Sequence, residues 1–517
     1  MRVMRVWWLV WWLGWMRVWM PVWMAVVMRL AIVTCCLSES RVLTLLFCLP
    51  LLGAPAQLCP MNRNVLLSMI LLNAFATPVM LSATNVALPS IAMDFGMSAR
   101  LLSWVPMSFL MASTMFVLIF SRIADAVGRK RIFLLGTAAV LLSSLYAAMS
   151  VNSTMLLSGR FLQGLSASML HATQLAIVSS AFPVNQRGKL IGLVTAAVYV
   201  GLSAGPLLGG FVVDHLGWRA AFLLQVPLAM VVLLMGVFAV KGEWRADTVL
   251  PFDRVGAVGW SVSIALFCIA VTQLPSLPAF ALFAGCAIST ALFVRHTRNS
   301  QFPLWDINLF FSNRTFTLSC ATSLLMYSAT YAIVVLMSLY LQSIKGFTAT
   351  NAGMILMIQP IIMATLSPLA GRWSDRIEPR LLATAGMVIT CVGLALLSQL
   401  DANSSVQYIV MSLVMTGAGF SLFSSPNINA IMGSVDNKHA GGASGAVATT
   451  RLLGQLNSMV LVTLAIALIM GNTPVSPQTA PLLNQALSLS FVISAALCIP
   501  GILFSLARGR VHPRRSA

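Results

Sequence analysis

Charge is what this sequence has least of. Only 8% of its 517 residues are Asp, Glu, Lys or Arg, where a soluble domain carries about 25%. That excludes an ordinary water-soluble globular chain. Acid is scarcer than base, with 12 Asp and Glu against 31 Lys and Arg and a formal net charge of +19. The nine cysteines form no CxxC and no paired spacing, which excludes a disulfide framework and a cysteine zinc site. Five of them, Cys268, Cys286, Cys320, Cys391 and Cys498, sit in apolar runs and read as small apolar filler. No metal-ligand cluster, nucleophile constellation, phosphate loop or long soluble loop is visible. An enzyme, a metal and a cofactor are therefore not expected.

What is present in quantity is apolar sequence, 59% of the chain. A bilayer core of about 30 Å needs roughly 20 apolar residues per helix, and such runs recur throughout. The class expected is an all-α polytopic membrane protein. A transmembrane barrel would show short alternating segments instead. The opening "MRVMRVWWLVWWLGWMRVWMPVWMAVVMR" holds seven of the thirteen tryptophans and is low in complexity. Either it is an extra anchor, with "VLTLLFCLPLLGAPAQ" as a signal-like stretch, or it stands outside the working protein, which then starts near Met61. The second reading is preferred, and residues 1–60 are set aside as a low-complexity apolar extension.

From Met61 fourteen apolar spans follow, the first over 65–90 and the last over 486–505. Basic residues crowd alternate loops. One side holds Arg63, Arg122, Arg129, Lys130, Arg131, Arg187, Lys189, Lys241, Arg245, Arg254, Arg295, Arg298, Arg314, Arg372, Arg376, Arg380, Lys438 and a tail with Arg508, Arg510, Arg514 and Arg515; the other holds Arg100, Arg219 and Lys345. The positive-inside rule makes the first side cytoplasmic and puts both termini inside, counting from Met61. The excess base is thus placed by topology, and a nucleic-acid partner is not needed to explain it.

One charged loop recurs. "SRIADAVGRKR" (Ser121–Arg131) follows the second span and "AGRWSDRIEPR" (Ala370–Arg380) the tenth, so Asp125 and Asp375 correspond. An offset of eight helices implies two parallel six-helix bundles with two inserted helices, the plan of a duplicated secondary transporter. The expected domains are 61–240, a two-helix insert at 241–300, and 301–517 with a basic tail.

At this point the residues resemble a known family. "SRIADAVGRKR", "SGRFLQGLSAS" (Ser158–Ser168), "VGLSAGPLLGG" (Val200–Gly210), "TNVALPSI" (Thr84–Ile91), "HLGWRAAFLLQVP" (His215–Pro227) and "ASGAVATTRLLGQL" (Ala443–Leu456) resemble motifs of the major facilitator superfamily, in its fourteen-helix drug:proton antiporter branch. The resemblance runs from about Met61 to the C-terminus. It implies proton-coupled efflux of small amphiphilic compounds across the plasma (inner) membrane by alternating access. An uptake or facilitative carrier of the same fold is the alternative. The partners implied are a small-molecule substrate, protons and the bilayer; a periplasmic adaptor is left open.

The resemblance also assigns residues. Asp125, with Arg129, Lys130, Arg131 and the repeated Asp375, is expected to form a cytoplasmic gate. Gly201, Gly205 and Gly209 fall four apart and share a helix face; with Pro206 and Gly210 they are expected to form a hinge and slip surface between the halves. Arg160 and Gln163 in the fourth helix are expected in proton coupling. Here the chain departs from the pattern: the branch usually carries an aspartate five residues before the first-helix Asn85, and that position is Met80. No Asp or Glu lies in the middle of any span. His171, with an ordinary pKa near 6.5, is the titratable side chain left at mid-span, and a structural histidine bonded to a neighbouring helix is the equal alternative. Arg451 is the other intramembrane ion. Asn85, Gln163, Gln174, Tyr327, Gln359 and Asn427 are further polar candidates for the interior.

Overall fold

The structure is a computed structural model and describes residues 63–245, 251–274, 276–305, 307–374, 376–435, 440–471, 473–475 and 477–509. The low-complexity opening, Asp375 and the end of the tail lie outside the described residues. By its contacts the chain divides into residues 1–68 and 69–517, and the fold below is that of the second unit.

Among the described residues fourteen long helices follow one another. They are α1 (Arg63–Phe95), α2 (Ala99–Val127), α3 (Arg129–Ala148), α4 (Ser153–Ala181) and α5 (Val184–Leu216), then α6 (Trp218–Ala239). The insert is α7 (Arg254–Thr272) and α8 (Leu277–Asn299). The rest are α9 (Arg314–Ile344), α10 (Ala349–Ser374), α11 (Pro379–Leu397), α12 (Val406–Gly433), α13 (Ala440–Ile469) and α14 (Ala480–Ala507). Among the described residues thirteen of these helices are long and apolar enough to cross a membrane. The exception is α4, as long as its neighbours but interrupted by polar side chains. In hydrocarbon every backbone donor and acceptor must be satisfied inside the chain, which is why apolar runs of this length become helices.

Side-chain caps mark many of the helix starts. Asn152 accepts from Met155 N at 2.8 Å, Asp253 from Gly256 N at 2.8 Å and Asn313 from Phe316 N at 3.0 Å. Between α2 and α3, Gly128 turns the chain at φ +132°, and a Cβ there would collide with the Glu243 side chain. No L-residue fits both conditions.

The internal repeat is visible in the packing. In the first half α2 lies on α4, α3 on α4 and α3 on α6; eight helices later α10 lies on α12, α11 on α12 and α11 on α14. The fold is thus two six-helix bundles in parallel repeat. The α7–α8 hairpin packs on both α2 and α13, with Trp260 Nε1 donating to Thr114 O at 3.0 Å. The insert therefore lies along the seam between the halves.

The bundles meet through α2 on α13 and α5 on α10. Call the end that carries the Arg122–Arg131 loop the basic end. Hydrogen bonds between the halves gather at the opposite, far end: Thr463 Oγ1 to Ser103 Oγ at 2.9 Å, Ala99 N to Thr473 O at 3.1 Å and Gln342 Nε2 to Val86 O at 2.9 Å. Tyr199 OH and Ser424 Oγ, 3.3 Å apart, meet nearer the middle.

The glycine face of α5 is divided between two neighbours. A Cβ on Gly201 would strike Phe75 O, one on Gly205 would lie 2.6 Å from Ser82 Cβ, and one on Gly209 would strike the Ala83 backbone. All three thus pack on α1, inside the same bundle. Gly210 and Pro206 meet α10 of the other bundle instead: Gly210 faces Ala349, and Gly353 faces the Pro206 carbonyl. The close approach between halves rests on Pro206, Gly210 and Gly353, and the four-residue repeat joins α5 to α1. Gly205→Leu should therefore act first on stability. Overpacking of this kind costs about 1–3 kcal/mol, and the melting temperature of the detergent-purified protein should fall by several degrees. Unchanged melting would show that α1 and α5 separate more easily than their contacts imply.

Candidate functional site

The site begins with the sequence of α4. Arg160, Gln163, His171 and Gln174 are spaced 3, 8 and 3 residues apart, so they return to one face after three turns. That face looks into its own bundle and toward the other one. It explains why α4 alone falls short of a membrane-spanning composition while sitting among helices that do not.

Each polar group on the face finds a neighbour. Gln174 Oε1 accepts from Asn73 Nδ2 of α1 at 2.9 Å. Gln163 Nε2 donates to Ser144 Oγ of α3 at 2.9 Å. His171 Nδ1 lies 3.4 Å from Ser113 Oγ of α2. Arg160 is wholly buried. Its Nε donates to Val105 O at 3.0 Å and its Nη1 to Gln163 Oε1 at 2.8 Å. Nη1 also lies 3.3 Å from the sulfur of Met80. The guanidinium sits over the Phe109 ring, 4.7 Å from its centroid, and Nη2 has no hydrogen-bond partner. A thioether thus occupies the place where a carboxylate would neutralise this cation. Thioether sulfur is a weak acceptor, and the charge of Arg160 is left standing.

The facing wall comes from the second bundle. Tyr331 of α9 lies within electrostatic reach of Arg160, and Arg451 of α13 acts on both His171 and Tyr327. Tyr327 stacks edge-on against Phe420 with centroids 5.4 Å apart. His171, Tyr327 and Tyr331 are surrounded by protein yet keep part of their surface open; they line space between the bundles. Arg451 is half-buried and makes no hydrogen bond or ion pair among the described residues. Asn85 is buried and its side chain makes no hydrogen bond among the described residues. Asn427 is turned elsewhere: Arg508 Nη1 donates to its Oδ1 at 2.5 Å and to Ser319 Oγ at 3.3 Å. Arg508, counted from sequence with the solvated tail, is 1% exposed, and burial lowers its pKa to about 10.

The charged loop at the basic end is engaged within its own bundle. Arg129 Nη2 pairs with Asp125 Oδ1 at 2.7 Å, and Nη1 reaches Ala176 O and Ser180 Oγ of α4. Lys130 N donates to Glu243 Oε1 at 2.8 Å and Arg131 N to Glu243 Oε2 at 3.2 Å. Glu243 therefore places its negative charge on the N-terminus of α3. Asp375, the second copy of the loop acid, is not among the described residues.

At the far end Asp214 of α5 does similar work across the halves. Its carboxylate accepts from Ala349 N at 3.0 Å and from Thr350 N at 2.7 Å, the first turn of α10. Asp94 closes the first bundle there, accepting from Arg219 Nη1 at 2.8 Å and Trp218 Nε1 at 2.9 Å. Beside the insert, Asp253 gathers Gly256 N, His296 Nε2 at 2.8 Å and Leu304 N at 3.1 Å. Burial pushes its carboxyl up, and these donors together outweigh burial and hold the pKa below the usual carboxylate value. Sequence reasoning missed Glu243, the Asp214 cap and the burial of Arg508.

Known proteins show the same plan. A family profile described as Major Facilitator Superfamily matches residues 70–458 and 319–517. The chain is 30% identical to the riboflavin transporter RibZ of Clostridioides difficile (strain 630) over 76% of this chain and 86% of that one. It is 31% identical to the multidrug resistance protein Stp of Mycobacterium tuberculosis (strain CDC 1551 / Oshkosh) over 76% of this chain and 74% of that one. Among solved structures, a bacterial homologue of the human lysosomal transporter Spinster, crystallised inward-facing and unoccupied, superposes with a TM-score of 0.65 at 15% identity, covering 87% of this chain and 97% of its own. That last likeness concerns the fold. Apolar helices by the dozen, a duplicated bundle, a polar face between the halves and these matches agree: the chain is an integral membrane transporter and belongs to the major facilitator superfamily.

Proposed function

We propose that this transporter exports small amphiphilic or drug-like compounds in exchange for protons, by alternating access, as a member of the fourteen-helix antiporter branch. In this reading the basic end is cytoplasmic, both termini counted from Met61 lie inside, and the membrane is the plasma membrane. Residues 61–240 and 301–517 are the two rocking bundles, and 241–300 is the insert along their seam. With the far-end bonds closed, the molecule opens toward the cytoplasm. Asp125 and Arg129, here paired within one bundle, are the groups available to latch the basic end when it shuts. The observation that carries the reading is His171, an imidazole at mid-span that lines the space between the bundles and faces Arg451 across it. An imidazole can take up and release a proton, and the described interior offers no carboxylate.

His171→Gln tests it. Everted vesicles should lose substrate accumulation driven by a pH gradient and keep downhill exchange, since binding and rocking do not themselves need the proton. Accumulation that survives in the mutant and still follows the pH gradient would make His171 structural. A second reading, an uptake or facilitative carrier without proton antiport, is favoured by Met80 in place of the usual acid and by the likeness to a riboflavin transporter. It predicts that collapsing the pH gradient leaves wild-type flux unchanged.

A further inference from the structure

The outer helix of the insert carries its charge on an open face. Only 11% of the most apolar stretch of α8 is buried, against 50% in α7, so α8 is the side of the hairpin that meets lipid. Ala287, Ala291, Val294, Arg295 and Arg298 line one open groove along its second half. At 3.6 residues per turn Ala287, Ala291 and Arg298 fall on one line, and Ile288, Leu292 and Arg295 on the next. The small side chains leave a trough. Ile288 and Leu292, 61% and 60% exposed, raise one wall of it, and two guanidinium groups stand at its basic end. Both arginines are exposed, and neither makes a hydrogen bond or ion pair among the described residues. Arg298 is steadied over the Phe311 ring, 4.9 Å from its centroid. Asp253, the only acid among the described residues of 251–305, is already held by Gly256 N, His296 Nε2 and Leu304 N. Like charges three residues apart on a helix repel, and hydrocarbon offers a guanidinium no acceptor. Arg295 stands four residues before the end of α8, about 6 Å along its axis, within reach of the boundary between acyl chains and headgroups.

We infer that this groove binds an anionic phospholipid of the leaflet at the basic end, with its phosphate on Arg295 and Arg298 and an acyl chain along Ala287 and Ala291. Residues three apart on a helix have Cβ atoms about 5–6 Å from one another, so one phosphate can accept from both forks. A free phosphate would meet the charge and leave the trough empty. A zwitterionic lipid brings a cation of its own back toward the arginines. An anionic lipid matches both halves of the groove. The α7–α8 hairpin packs on both α2 and α13, so a lipid held here buttresses the helix pair that lies along the seam. The inference concerns the outer face of the insert and stands whatever the cargo or the coupling ion.

Native mass spectrometry of the full-length protein in neutral detergent, titrated with dioleoylphosphatidylglycerol or dioleoylphosphatidylcholine, provides the test. The first phosphatidylglycerol should bind more tightly than the first phosphatidylcholine. Arg295→Gln/Arg298→Gln should weaken phosphatidylglycerol by about 30-fold, on the worth of two basic residues at an anionic membrane surface, and Arg295→Lys/Arg298→Lys should keep most of the affinity. Arg372→Gln/Arg376→Gln removes the same charge from two exposed arginines of the same end and should bind as the wild type does. Ala291→Phe fills the trough, leaves both arginines in place and should also weaken phosphatidylglycerol, which a site made of charge alone would not feel. Millimolar inorganic phosphate should not displace the lipid. Melting curves without added lipid should match the wild type, since the altered side chains are exposed, and they separate lost binding from lost folding. Equal affinity for the two lipids, a loss shared by Arg372→Gln/Arg376→Gln, or displacement by phosphate would overturn the inference, as would wild-type binding in Arg295→Gln/Arg298→Gln or in Ala291→Phe.

Discussion

Arg160→Met should abolish transport while leaving the protein as stable as before, or more so. A buried guanidinium without an acid is expensive, because desolvation is charged in full and no ion pair offsets it. Methionine has a similar length and no charge, and it would sit on the Phe109 ring that now carries the cation. Replacing buried ions by apolar groups of like volume is often neutral or stabilising by about 1–4 kcal/mol. Against that gain stands Gln163 Oε1, which loses its donor, while Val105 O keeps Ser108 Oγ; an unpaired buried acceptor costs about 1–3 kcal/mol. The two nearly cancel, and the melting temperature should move by only a few degrees. Transport has no such compensation. Loss of a desolvated charge partner costs about 2–5 kcal/mol, so flux at limiting substrate should fall by about 30-fold or more. Arg160→Lys should fail almost as badly, since an ammonium lacks the planar fork that reaches Val105 O and Gln163 Oε1 together. If Arg160→Met melted far below the wild type, Arg160 would hold the bundle together, and the cost of its burial would need another justification.

Much of this arrangement could be read before any coordinates. The fourteen apolar spans found helices at each expected place because their ends carry local signals: Asn152, Asp253 and Asn313 cap the turns that follow them. The polar face of α4 was legible for the same reason, since a period of 3.6 residues collects Arg160, Gln163, His171 and Gln174 on one side. What could not be read is which helix meets a given face. Gly201, Gly205 and Gly209 announce a close contact, but only the packing shows that α1 fills it, while Gly210, at the end of the same run, meets α10. Asp214 stands at a span end, and its partners, Ala349 and Thr350, are 135 and 136 residues away. Arg508 looked like one more base in a tail, and the side chains that bury it come from α9 and α12. Local chemistry is written in neighbouring residues, and tertiary partners are not.

The contact between Met80 and Arg160 sets up the other large effect. Met80→Asp should give the transporter a proton-coupling carboxylate. The geometry is favourable, because an aspartate Oδ is as many bonds from Cβ as a methionine Sδ. With the rotamer kept, an oxygen falls near the place of the sulfur, which is 3.3 Å from Arg160 Nη1. The pair so formed would be buried on α1 and α4, where Thr84 Oγ1, now 3.7 Å from the sulfur, can donate to the new carboxylate. Arg160 would then be neutralised from within the protein. The carboxylate must also be emptied and filled by a proton as the bundles rock, so the charge moved per cycle should change. Reversal potentials measured in proteoliposomes at set pH gradients would report it as a higher proton-to-substrate ratio than in the wild type. In the His171→Gln background the same substitution should restore accumulation, because the acid supplies a titratable group where the imidazole was lost. An unchanged ratio would mean that residue 80 and Arg160 separate during transport, and that the thioether contact belongs only to the state closed at the far end.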